Sequence, residues 1–292
     1  MNRREFNIAL LGAAATITLP TRVGSQAVAR VTAVDTHAHV FHRGLKFIPE
    51  RRYTPDYDAL PAQYLAMLDA NGMSHGVVIP ISILGTDNSY IVETLQQTQG
   101  RLRGLAVVDP AKDLGTLDAL QASGIVGVRL NLIGQPVPDV RSSPWRELVA
   151  ECVKRDWQVE VYDDAKRLRE LVTPLVDAGV KVVLDHFGKP DPQQGINDPG
   201  FQYLLGMAAS QRVWVKLSAP YRSSLEIAAA AAPLLRRAFG PERLLWGSDW
   251  PFTGFEKTTQ YPVMRAVFET WVPDRAERGI ILAGTPMKLF RF

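Results

Sequence analysis

The chain reads as an α/β protein, a single-domain (β/α)8 TIM barrel, on three observations. Apolar, β-rich runs alternate with helical patterns from residue 31 onward. Eight such runs follow one another at a mean spacing of roughly 30 residues, the length of one strand–helix–strand unit. Polar, chemistry-bearing side chains recur at the ends of those runs, where a barrel of this kind places its active site. Alternation argues for a parallel sheet, and a 292-residue chain is long enough for a barrel that usually takes roughly 250 residues.

The strands are expected at about 31–38, 76–82, 103–109, 125–132, 157–163, 181–187, 213–218 and 244–248. Each is short, apolar and rich in Val, Leu and Ile, as suits a strand buried on both faces. Between them, 59–71, 89–98, 114–122, 145–155, 167–178, 201–210 and 225–239 carry helical spacing. Gly72, Gly100, Gly179 and Gly240 stand near helix ends, where a left-handed residue closes the last turn. Helices near 261–271 and 275–282 are expected to close the barrel. No shift in composition marks a second domain, and no short repeat is present.

Apolar residues make up 46% of the chain and charged residues 22%, enough for a large core. The formal charge is +3, but residues 1–29 contribute Arg3, Arg4 and Arg22 against Glu5, leaving about +1 on the rest. Nucleic acid is therefore not an expected partner. The single cysteine, Cys152, can form no intrachain disulfide and reads as a small buried hydrophobe.

Residues 1–29 are set apart from the fold. Asn2-Arg3-Arg4-Glu5-Phe6 precedes an uncharged apolar run from Ile8 to Leu19, and Ala27-Val28-Ala29 fits a small-x-small cleavage site. The apolar run is short of the roughly 20 residues that span a bilayer. Paired arginines followed by phenylalanine resemble the twin-arginine export signal. The expectation is a signal peptide over 1–29, a barrel over 30–292, a periplasmic mature protein and no membrane association after cleavage. Without a functional signal the protein would be cytoplasmic.

The most informative motif is Val34-Asp35-Thr36-His37-Ala38-His39. Side chains alternate along a strand, so His37 and His39 face one side and can converge on one atom. Ser82 ends the second strand, Arg129 and Asn131 lie on the fourth, Tyr162 on the fifth, and His186 ends the sixth. Ser218 and Arg222 follow the seventh, and Asp249 the eighth. Structural alternatives stand beside several of these. His186 could be a core histidine on a carbonyl, Asp249 a cap, Arg129 half of an ion pair and Tyr162 barrel filling. Asp35 reads as structural, and His42 and His75 as surface residues.

Together these residues resemble the amidohydrolase superfamily, in the branch that contains 2-pyrone-4,6-dicarboxylate lactonase and sugar lactonases. The resemblance rests on Val34–His39, Pro49-Glu50-Arg51-Arg52-Tyr53-Thr54-Pro55, Gly127-Val128-Arg129-Leu130-Asn131, Asp185-His186-Phe187-Gly188-Lys189-Pro190 and Trp246-Gly247-Ser248-Asp249-Trp250-Pro251. It implies Asp249 as the general base on water, with His37, His39 and His186 polarising or positioning a lactone carbonyl. It further implies Tyr53, Ser82, Arg129, Tyr162 and Arg222 as substrate contacts, the arginines holding carboxylate. The implied substrate is a small carboxylated lactone. A lactone isomerase or a zinc-dependent decarboxylase on the same barrel is the alternative, and a non-catalytic periplasmic binding protein a further one. The dicarboxylate lactonase carries a second arginine shortly after the fourth strand, where this chain has Gly134 and Gln135. The branch's closing Asn-Pro is here Thr285-Pro286.

Metal-using relatives add a fifth-strand histidine, and this chain has Tyr162 there, which favours a site with no metal or other cofactor. Zinc remains an alternative through His37, His39, His186 and Asp249, a set of three nitrogens and one oxygen. The chain contains no Gly-x-Gly-x-x-Gly, no Walker lysine motif, no Gly-x-Ser-x-Gly and no His-Glu-x-x-His.

Overall fold

The computed structural model describes residues 30–292, so the expected signal segment lies outside the described residues. Eight parallel strands follow one another in chain order around a single sheet. They are β1 (Val34–Ala38), β2 (His75–Val78), β3 (Leu102–Ala106), β4 (Ile125–Asn131), β5 (Gln158–Tyr162), β6 (Lys181–Leu184), β7 (Val213–Ser218) and β8 (Leu244–Gly247). Each of the eight overlaps an expected segment. Where β1 meets β8, the amide of Asp249 donates to the His37 carbonyl at 2.8 Å and that of His39 to the Trp250 carbonyl at 2.8 Å.

That seam depends on Gly247. A Cβ there would stand 2.5 Å from the Cβ of His37, so only glycine lets β8 approach β1 this closely. Asp35 locks the same seam. Its carboxylate accepts from the Ser248 amide at 2.8 Å and the Ser248 hydroxyl at 2.6 Å, which bears out its structural reading.

The helices pack their apolar faces on the outside of the strands. In Leu225–Phe239, Ala228, Ala231, Ala232, Leu235 and Phe239 form the buried stripe at helical spacing. The Ser224 hydroxyl caps that helix by accepting from the Ile227 amide, and Gly240 ends it at φ 65°. At the N-terminal end of the barrel, Leu289 and Phe290 plug the interior against Val34, Val77, Leu105, Val183 and Leu245. Each such buried side chain contributes roughly 1.5–3 kcal/mol. Among the described residues no helix is long and apolar enough to cross a membrane.

Three local expectations are corrected. β2 ends at Val78 rather than 82, so Ser82 opens a short turn over Ser82–Leu84 instead of closing the strand. β6 ends at Leu184, because His186 and Phe187 adopt left-handed backbone at φ 50° and 59° and turn the chain across the barrel mouth. His75 is buried rather than at the surface: it lies on β2, its Nδ1 2.9 Å from the Ser74 hydroxyl and its ring edge-on to Phe292.

Candidate active site

The strand ends converge as the barrel geometry requires. His37, on β1, and His39, just beyond it, bring their rings to 5.0 Å, and the His186 ring lies 4.8 Å from that of His37. Asp249 follows β8 with φ 62°, a left-handed conformation that costs roughly 1–3 kcal/mol and turns its carboxylate into the mouth. Its Oδ1 stands 3.5 Å from His37 Nε2, 3.4 Å from His39 Nε2 and 3.9 Å from His186 Nε2. All four residues are buried.

The two oxygens of Asp249 differ in environment. Oδ2 accepts from Tyr221 OH at 2.8 Å and from Arg222 at 2.9 Å (Nε) and 2.6 Å (Nη2). Oδ1 has no hydrogen-bond partner and is the oxygen the imidazoles surround. Burial opposes the charge of this carboxylate, but the Arg222 guanidinium and then the neighbouring imidazoles hold it well below the usual carboxylate range.

The neighbours of each ring bear on where its proton sits. His39 Nδ1 lies 2.8 Å from the Ile79 carbonyl, which can only accept, so the proton sits on Nδ1 and Nε2 presents a lone pair. His37 Nδ1 lies 3.1 Å from both the Lys216 ammonium, which can only donate, and the Asp185 carboxylate, which can only accept. Engaging the first puts the ring proton on Nε2, and engaging the second puts it on Nδ1. Nε2 has no partner of its own. His186 Nδ1 meets the Ser218 hydroxyl at 2.9 Å, a group able to play either part. Burial lowers the pKa of all three, that of His186 to about 3.

Beneath the rings lies a charged layer absent from the sequence reading. Lys216 Nζ donates to Glu160 and lies 3.3 Å from Asp185 Oδ1. Arg129 donates to Asp185 at 3.2 Å and to the Pro80 carbonyl at 2.7 Å. Burial, then the Asp185 charge, pushes Glu160 up. Burial also opposes the charge of Asp185, but the His37 ring, Lys216 and Arg129 more than offset it and keep Asp185 ionised. Arg129 is thus half of an ion pair, as its structural alternative required, while still lining the cavity.

Above the rings is a cavity of about 60 Å³ bounded by every expected substrate contact: Tyr53, Ser82, Arg129, Tyr162 and Arg222. His39, His186 and Asp249 form its floor. Tyr162 turns its ring edge toward His186, with centroids 5.1 Å apart. Tyr221 and Lys216 were missed in the sequence. Tyr221 adjoins Arg222, and Lys216 shares a strand face with Ser218.

The residues also fit a divalent cation. A tetrahedral zinc with ligands at about 2.0–2.1 Å has ligand–ligand edges of about 3.4 Å. The Asp249 Oδ1 to imidazole distances lie at or slightly above that value. His37, His39 and Asp249 form one group able to hold an ion, and His37, Asp185 and His186 another.

Comparison with known proteins agrees with this geometry. Residues 34–292 match the family model described as Amidohydrolase. A 2-pyrone-4,6-dicarboxylate hydrolase of Comamonas testosteroni is 32% identical over 274 residues, spanning 88% of this chain and 90% of that protein. A 4-sulfomuconolactone hydrolase of Hydrogenophaga intermedia is 27% identical over 266 residues, spanning 88% of each. Among solved structures, a probable 2-pyrone-4,6-dicarboxylic acid hydrolase from Acinetobacter baumannii, with citric acid bound, superposes with a TM-score of 0.87 at 36% identity. That match covers 89% of this chain and all of the other.

Proposed function

This chain belongs to the amidohydrolase family, and from that premise we propose that it is a carboxylic ester hydrolase opening the ring of a small carboxylated lactone. The observation that carries the reading is the division of labour around Asp249 Oδ1. This unpartnered, ionised oxygen stands 3.4 Å from His39 Nε2, which presents a lone pair, and 3.5 Å from His37 Nε2. The hydrolase relatives support the substrate class.

Ester hydrolysis needs an acceptor for a water proton and donors where charge grows on the carbonyl oxygen. Asp249 Oδ1 takes the proton as the water oxygen bonds to the lactone carbon, while His39 Nε2 accepts the other O–H and orients the water. In the tautomer that the Lys216 contact favours, His37 Nε2–H donates to the carbonyl oxygen as it becomes an oxyanion. The ring C–O bond then breaks, and the departing oxygen takes the proton that Asp249 holds. Arg222 and Arg129, lining the same cavity, meet substrate carboxylate, and arginine does so with two parallel donors. Tyr53, Tyr162 and Ser82 complete the wall.

His37, His39, His186 and Asp249 are also the residues that would hold a divalent cation. When bound, such an ion would act as a Lewis acid toward the carbonyl and lower the pKa of water. Tyr162, in place of a fifth-strand ligand, supports a route without one. Elemental analysis and activity after chelation decide between them; stoichiometric zinc that restores lost activity overturns the metal-free route. The Arg3-Arg4 signal supports export to the periplasm, tested by fractionation of cells carrying Arg3→Lys and Arg4→Lys.

The decisive experiment is a lactone panel read by acid release and NMR of the product. Asp249→Asn should reduce turnover by roughly 10³-fold or more while the fold persists. Near-normal turnover of this variant, or product formed without water uptake, would overturn the assignment.

A further inference from the structure

Two loops meet over the barrel mouth. The first runs from β1 to the helix that starts at Pro61, and paired backbones of Phe41 and Ala59 close its base at 2.9 Å in both directions. It carries Tyr53 to the central cavity. The second follows Asp249 and folds back on itself: the Phe255 amide donates to the Phe252 carbonyl at 2.6 Å, and the Thr258 amide to the Phe255 carbonyl at 3.0 Å. Between the loops lies a chamber of about 380 Å³. It shares Arg52, Tyr53, Tyr162, Arg222 and Thr253 with the central cavity of about 60 Å³, so the two are continuous.

A side-chain hydrogen bond joins the two walls of that chamber. Tyr57 OH, from the first loop, donates to Glu256 Oε1, from the second, at 2.7 Å. The same oxygen accepts from the Gly254 amide at 2.9 Å, which fixes the carboxylate on its own loop. The Tyr57 ring packs against buried Phe41, with centroids 5.4 Å apart, so its hydroxyl is held at a set height. Burial, with Glu256 beside it, pushes the Tyr57 phenol up and keeps it a donor. Burial opposes the charge of Glu256, but the Tyr57 hydroxyl and the Gly254 amide hold it below the ordinary carboxylate range.

The second loop is itself anchored to the site. The Phe255 ring lies 4.6 Å from that of Tyr221 and 5.8 Å from the Arg222 guanidinium, the two groups that hold Asp249 Oδ2. Glu256 therefore offers Tyr57 a mooring whose position relative to Asp249 is fixed.

The geometry points to Tyr57 and Glu256 as positioning residues: their hydrogen bond latches the loop that carries Tyr53 onto the loop that follows Asp249, and so holds Tyr53 over the bound ring. The role of Tyr53 as a substrate contact rests on the lactonase reading, whereas the latch can be tested without turnover.

The test is hydrogen–deuterium exchange of the full chain, read by mass spectrometry over 42–58 and 250–258. Tyr57→Phe keeps the ring on Phe41 and removes only the donor. It should speed exchange threefold or more in both segments, including 250–258, where nothing was substituted. Glu256→Gln retains an acceptor oxygen and should exchange like the unaltered protein. Tyr57→Phe combined with Glu256→Ala should be no faster than Glu256→Ala alone, because the two share one bond. On a lactone that is hydrolysed, Tyr57→Phe should raise KM twofold or more and change kcat by less than twofold, since Asp249 keeps Tyr221 and Arg222. Unchanged exchange over 250–258 in Tyr57→Phe, additive effects in the double variant, or a KM rise below twofold would overturn the proposal. Faster exchange in both segments of a protein that opens no lactone would keep the latch and sink the lactonase reading instead.

Discussion

Lys216 Nζ lies 3.1 Å from Nδ1 of His37, joining the middle of β7 to the end of β1 inside the barrel, and both side chains are wholly buried. The ammonium competes with the Asp185 carboxylate, 3.1 Å from the same nitrogen, and its contact favours the tautomer with the His37 proton on Nε2. It also makes an interior ion pair, Lys216 with Glu160, part of the machinery.

Lys216→Met should therefore damage stability and rate together. Removing one partner of a buried pair typically costs about 3–5 kcal/mol, because the remaining charge is stranded. Without the ammonium, His37 can place its proton on Nδ1 toward Asp185, 3.1 Å away, and lose its donor toward the substrate. Lys216→Met with Glu160→Gln should recover much of the stability in urea unfolding yet leave kcat low. Full recovery of kcat in the double variant would show that Lys216 only balances charge.

Arg222 sets the protonation of Asp249 through Oδ2. A carboxylate held low is ionised and competent at all pH values above its folded pKa. The acid limb of kcat/KM, which reports the free enzyme, should therefore fall at low pH. Arg222→Gln removes the strongest charge that lowers the Asp249 pKa and should move that limb upward by about 1–3 pH units, with a raised KM for carboxylated lactones. An unmoved limb would assign it to another group.

His186 gives a stability prediction with a definite sign. Burial lowers its pKa to about 3 from an ordinary 6.5, so the unfolded chain takes up a proton that the folded protein refuses. Its contribution is fully present above pH 6.5 and is lost as pH falls toward 3, on the order of 5 kcal/mol in all. Asp35 acts in the opposite sense: its buried carboxyl is pushed up to about 6, so its contribution is lost as pH rises from 3.8 through 6. In chelator-treated protein, His186→Gln should flatten the acid side of a Tm-against-pH curve. An unchanged slope would mean that His186 takes up its proton alike in the folded and unfolded chain.

The fold was legible because each strand is an apolar run bounded by turn residues, and eight of them leave few topologies. The rim of the site was legible for a related reason: His37, Arg129, Tyr162 and Asp249 are polar residues where apolar strands end. The layer below was harder to read. Glu160 and Lys216 sit inside Gln158–Tyr162 and Val213–Ser218, where a charge suggests a weak strand rather than a partner across the barrel. A signal was present, since period-two alternation puts Glu160 on the face of Tyr162 and Lys216 on that of Ser218. What no single strand encodes is that the two charges meet. The left-handed turn at His186 was equally hidden, because nothing in Asp185-His186-Phe187 requires positive φ.

Gly247 tests whether the seam between β1 and β8 holds the catalytic geometry. An added methyl would stand 2.5 Å from His37 Cβ and 2.9 Å from its backbone nitrogen, neither of which is the loose end of a flexible side chain. The strands must separate, and overpacking of this kind costs roughly 1–3 kcal/mol. The same movement displaces His37 from Asp249, whose amide is bound to the His37 carbonyl. Gly247→Ala should thus fold with a lowered Tm and lose far more in kcat than in KM, because a shift of about 1 Å at reacting groups can cost 10²-fold. A stable Gly247→Ala protein with unchanged kcat would show that β1 carries His37 at its working distance without help from the β8 contact.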